Sequence, residues 1–98
     1  MTNIKKIVEK NEIILSADEF DEELFNSDHH DTDNHYIADV SGETCIEELL
    51  YNGFSESDID KLFKGEYYKE SNWGPIPHIA ELYTNKERSY YILTLGVL

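Results

Sequence analysis

The stretch Thr44-Cys45-Ile46-Glu47-Glu48-Leu49-Leu50-Tyr51-Asn52-Gly53-Phe54-Ser55-Glu56-Ser57-Asp58-Ile59-Asp60-Lys61-Leu62-Phe63-Lys64-Gly65 decides the fold. Thr44, followed three residues later by Glu47, is a capping-box pattern that opens a helix. Ile46, Leu49 and Leu50 fall on one side of that helix, and Gly53 stands where a left-handed C-terminal cap is wanted. Ser55, with Asp58 at the third helical position, starts a second helix carrying Ile59, Leu62 and Phe63, and Gly65 stops it. Two short helices joined by a Gly-Phe-Ser turn make an αα-hairpin at about residues 44–64.

Towards the C-terminus, Tyr67, Tyr68 and Trp73 are strung along a loop that ends Gly74-Pro75-Ile76-Pro77. Residues 79–83 and 90–97 are β-rich runs joined by a polar segment, the pattern of a β-hairpin. Towards the N-terminus, Ile4, Ile7 and Val8 sit at helical spacing, and residues 13–15 read as a short buried strand. Ser16 with Glu19 is another capping box, so a helix should begin at Ala17, with Phe20, Leu24 and Phe25 facing the core. Residues 26–34 form a polar loop of Asn, Ser and Asp, and residues 35–40 alternate as a strand that Ser41-Gly42 closes. The sum is a single α+β domain over residues 1–98. It combines a small, largely antiparallel sheet, the C-terminal hairpin plus one or two strands, with two to four short helices on one face.

Composition fits a folded chain: 40% of residues are apolar and 12% aromatic, too many for a disordered acidic tail. The net charge of −13 excludes direct binding to nucleic acid or to an anionic membrane, both of which attract Lys and Arg. The second helix of the hairpin would offer Glu56, Asp58 and Asp60 to phosphates, which excludes a helix-turn-helix reader on sign alone. Cys45 is the one cysteine and cannot form an internal disulfide, as in a reducing cytosol. No apolar run approaches ~18 residues, and the chain opens on mixed residues, so a cytoplasmic location is expected.

Charge is distributed unevenly. Residues 11–60 hold sixteen carboxylates and no Lys or Arg, and all eight basic residues lie outside them. Asp18, Glu19, Asp21, Glu22 and Glu23 crowd one short segment, followed by Asp28, Asp31 and Asp33. Like charges held together repel and destabilise a compact state, so a partner that wants negative charge is the simplest reason for them. Carboxylates on adjacent helical turns sit ~5–6 Å apart, near the separation of successive phosphates on a nucleic-acid strand. In size and charge the chain is similar to the DNA-mimic inhibitors with which phages and mobile elements block restriction enzymes, CRISPR nucleases or uracil-DNA glycosylase. That resemblance implies a non-enzymatic anti-CRISPR or antirestriction type of protein whose partner is a basic host nuclease.

Two further segments carry chemistry. Asp28-His29-His30-Asp31-Thr32-Asp33-Asn34-His35 packs carboxylates and imidazoles that coordinate Zn²⁺ or Mn²⁺, yet a calcium loop read from Asp31 would need Gly at Tyr36 and Glu at Gly42. A solvated loop is the preferred reading there, and no cofactor is assigned. The Tyr67, Tyr68, Trp73 segment offers residue types that anchor interfaces or lie as a lid over a core. With no triad and no glycine-rich phosphate loop, an enzyme is not expected. The leading expectation is an acidic inhibitor that uses Asp18, Glu19, Asp21, Glu22, Glu23, Asp28, Asp31, Asp33 and Trp73 against a basic nucleic-acid-handling protein. An immunity protein that neutralises a cognate toxin is the alternative. A small metal-binding protein using His29, His30, Asp31, Asp33 and His35 is the third reading.

Overall fold

The computed structural model describes residues 3–28 and 35–98. Along the chain run α1 (Ile4–Asn11), β1 (Glu12–Ile14), α2 (Ala17–Asp28), β2 (His35–Asp39), α3 (Gly42–Tyr51), α4 (Glu56–Lys64), β3 (Tyr67–Lys69), β4 (Ile76–Thr84) and β5 (Tyr91–Val97). The described residues make an α+β fold with four helices and a small mixed sheet of five strands.

The αα-hairpin forms as its local signals direct. Ser55 and Asp58 make a reciprocal capping box, and Gly65 ends α4 at φ 71° in the left-handed region. Gly53 adopts φ 98° between the helices, and the Phe54 N–H donates to the Leu49 carbonyl. The start of α3 differs from expectation: Ser41, not Thr44, is the N-cap, and its Oγ accepts from the Thr44 N–H at 3.4 Å. That earlier start brings a close approach. A Cβ on Gly42 would lie 2.8 Å from Val8 Cγ1 and 3.0 Å from the Tyr91 ring, so only glycine lets the first turn of α3 sit there.

The sheet runs β1-β4-β5-β2, with β3 also paired to β4. β4 and β5 form the expected hairpin, β2 adds antiparallel to β5, and β1 adds parallel to β4 with Ile13 opposite Tyr83. Residues 66–77, expected as a loop, instead make a second hairpin: Tyr67 pairs with His78 and Lys69 with Ile76. Pro77, which argues against a strand by removing a donor, sits inside β4, where its carbonyl accepts from the Leu98 N–H.

Side chains alternate across a strand, so register assigns the two faces. Ala80, Leu82, Tyr91 and Leu93 share one face and join Val8, Cys45, Ile46, Leu49, Ile59 and Leu62 in the main core. That core belongs to α1, α3 and α4. The opposite parity carries Glu81, Tyr83 and Ile92, and Ile92 is buried outside that cluster. α2 covers this second face, where Phe20 is buried and meets the Tyr90 ring edge-to-face at 6.4 Å. The helices therefore do not share one face: among the described residues the acidic helix is alone on its side of the sheet.

Candidate functional site

α2 begins as the sequence directs. The Ser16 backbone N–H and Oγ donate to Glu19 Oε1 at 3.3 and 2.9 Å, and the Glu19 N–H donates back to Ser16 Oγ at 3.3 Å. Asp18 and Glu19 in the first turn also suit the positive end of the helix dipole. At 100° per residue, Phe20, Leu24 and Ser27 turn towards the sheet, while Asp18, Asp21 and Glu22 turn outward. Phe25 is expected in the apolar stripe, but five residues from Phe20 is a rotation of about 140°. It is 61% exposed, in the middle of the outward acids.

Of the expected binding residues, Asp18, Glu19, Asp21, Glu22 and Asp28 are exposed along α2. Glu23 is not on that outward row. It is half-buried at the sheet side of the helix, where burial, then Glu22, then Glu81 on β4 push its carboxyl above the usual range. The Tyr83 hydroxyl is pushed up chiefly by burial and next by the Glu81 carboxylate. Glu23, Asn26, Tyr36, Glu81, Tyr83 and Thr94 line a polar cleft of about 270 Å³ beneath α2. The sequence signal for Glu81 was its place in a strand whose alternation sets Ile79, Glu81 and Tyr83 on one side.

The fifty-residue run without cations does not gather into a single surface. Glu43, Glu47 and Glu48 lie on α3, and Glu56, Asp58 and Asp60 on α4, across the sheet from α2. The ion pairs among the described residues also lie away from α2. Lys64 and Lys10 reach Asp60 at 2.9 and 3.5 Å, holding its carboxyl below the usual range. Arg88 Nε meets Glu12 at 2.7 Å, and the Tyr91 hydroxyl donates to the other oxygen of that carboxylate. Among the described residues no Lys or Arg pairs with Asp18, Glu19, Asp21 or Glu22.

Trp73 is 94% exposed at the tip of the β3–β4 hairpin, and Tyr68, on β3, is 60% exposed. The tip is held by reciprocal backbone bonds between Ser71 and Gly74 at 3.2 and 3.1 Å. Ser71 Oγ also accepts from the Trp73 N–H, and Gly74 takes φ 101°. The indole is thus presented on a tight turn rather than folded down as a lid. Tyr67 takes the inward part instead, with its ring against Phe54 and His78.

Asp31 and Asp33, and His29 and His30 of the metal reading, lie outside the described residues, while His35 starts β2 at the sheet edge. Among the described residues no three metal-ligating side chains converge, and no helix is long and apolar enough to cross a membrane. Cys45, on the inner side of α3, is fully buried, its thiol directed at the Ile37 carbonyl, and burial followed by the Asp39 charge pushes its pKa up to about 12. It packs as a small apolar side chain. Comparison with family models, with curated proteins and with solved structures gives no match.

Proposed function

We propose that this chain is a non-enzymatic, cytoplasmic inhibitor that binds a basic, nucleic-acid-handling protein through the outward row of α2. The observation that carries the reading is the isolation of that row: Asp18, Glu19, Asp21 and Glu22 are exposed and, among the described residues, unpaired with any Lys or Arg. Asp28 extends the row at the end of the helix. Twelve residues make a helix of about 18 Å, roughly five steps of a nucleic-acid strand at ~3.4 Å each. Such a rod fits a groove lined with Arg and Lys for phosphates, as a phage or mobile-element mimic of DNA would. The net charge of −13 would speed the encounter and make it sensitive to salt.

The test is affinity capture from a bacterial lysate at low and high salt, with wild-type protein and an Asp21→Lys/Glu22→Lys variant. The retained protein should be lost at high salt, displaced by duplex DNA, and absent from the variant. Retention by the variant, or indifference to DNA, would overturn this reading. The exposure of Trp73 favours the second reading, an immunity protein anchored in a toxin's pocket by the hairpin tip. In that case Trp73→Ala loses the partner while the charge-reversed variant keeps it.

A further inference from the structure

The sheet face that carries α1, α3 and α4 is not covered to its end. Between the C-terminal half of α3, the α3–α4 turn and the strands lies a groove of about 470 Å³, within the range of small-molecule sites. Its walls are ring-rich. Phe54, Tyr67 and His78 all line it, with Phe54 and Tyr67 at 5.6 Å and 61°, and Tyr67 and His78 at 6.3 Å and 84°. Edge-to-face contacts use one face or edge of each ring and leave other ring surface for a flat guest to stack on. The floor is apolar, formed in part by the buried Leu49 and Leu62.

One cation and one carboxylate stand in the lining. Lys69 lines the groove, two residues from Tyr67 and so on the same face of β3. It has no ion pair among the described residues, unlike Lys10, Lys64 and Arg88. The carboxylate of Glu48 is the opposing charge in the lining, and His35 and His78 supply imidazoles. His78 is oriented: its Nδ1 lies 2.9 Å from the Ile76 carbonyl, which can only accept, so Nδ1 carries a proton and Nε2 is the nitrogen left for a ligand. In a chain of net charge −13, this is a cavity where positive groups are not outnumbered.

We propose that this groove binds a small planar aromatic molecule bearing one negative charge, with its ring against Tyr67, Phe54 and His78 and its anion at Lys69. The site is separate from the outward row of α2, and the proposal stands whether or not that row binds a partner. The test uses 2-naphthoate and its neutral counterpart 2-naphthalenemethanol, followed by amide chemical shifts of the wild-type protein and of Lys69→Gln. Lys69 is exposed, so this variant leaves the core intact. Shifts should concentrate at the residues around Phe54, Tyr67 and His78. Naphthoate should bind about two- to fivefold tighter than the alcohol, the upper part of the range one exposed ion pair supplies, and Lys69→Gln should erase that preference. Shifts centred on Trp73 or spread over the surface would overturn the proposal. So would absence of binding at millimolar probe, or equal affinity for the two probes in the wild-type protein.

Discussion

Replacing Glu22 by Gln should make the protein more stable. Glu22 is exposed on the outward side of α2, with Asp18 one turn before it at i−4 and Glu19 at i−3. Like charges at these spacings cost ~0.2–0.5 kcal/mol each in a helix, so neutralising Glu22 relieves about 0.4–1 kcal/mol. Solvent screening favours the lower half of that range. Gln and Glu have nearly the same helix propensity, so the backbone term cancels. For a domain of this size, about 0.5 kcal/mol raises Tm by roughly 2–4 °C. The assay is thermal unfolding by circular dichroism at 20 mM and 1 M NaCl. At 1 M the Debye length falls to ~3 Å, shorter than the ~5–6 Å between these side chains, so the gain should vanish. Glu9→Gln is the control. Glu9 follows Lys5 and Lys6 on α1 at the same spacings with opposite sign, so its loss should lower Tm at low salt. If Glu22→Gln leaves Tm unchanged or lowers it, the fold itself uses the outward carboxylates. Their claim to be kept for a partner is then lost.

Glu23 should respond to pH as its surroundings dictate. Its folded pKa lies above the ordinary 4.5, so the folded protein binds the proton more tightly than the unfolded chain. Stability is therefore lost as pH rises through the window above 4.5, and the ionised group costs stability at neutral pH. Glu23→Gln should raise the urea midpoint at pH 7 and change it little at pH 3.5; an equal gain at both would refute the electrostatic cause. Cys45, buried and with its pKa pushed up to about 12, should not react with a disulfide reagent at pH 8 in the native state. It should react fully in urea, and rapid native labelling would show that α3 lifts from the sheet.

What the sequence made legible was local chemistry. Ser16 with Glu19 and Ser55 with Asp58 cap their helices as their spacing implies, and Gly53 and Gly65 take the positive φ their positions ask for. The error at Thr44 has a different origin. The true start of α3 depends on Gly42 fitting between Val8 and Tyr91, residues far away in the chain. Phe25 was legible but misassigned, because rotation about the helix axis already separates it from Phe20. The β3 strand was obscured by Pro77, and the exposure of Trp73 follows from the turn that strand pairing creates. The parallel pairing of β1 with β4, about seventy residues later, left no local trace, because strand register is set by packing rather than by either segment alone. The groove at Lys69 was illegible for the same reason, since its lining comes from α3, α4 and four strands.

That parallel pairing also determines what the acidic run can do. It sends the chain from β1 across to the second face, so α2 is divided by the sheet from α3 and α4 and from the lysines that reach Asp60. A lysine at position 18 or 22 would pair with acids one turn away and relieve the crowding, and the chain has none there. α2 is thus held by a narrow contact, chiefly Phe20 on the sheet, and beyond its N-terminal cap no described Lys or Arg on its own face offsets the repulsion among its acids. Cations that relieve this repulsion can come from dissolved salt or from another molecule. Only another molecule, with its basic groups fixed at the spacing of the carboxylates, gains affinity from the rigidity of the helix. A partner bound there should stabilise α2 and the domain together, because it supplies the charges the fold withholds.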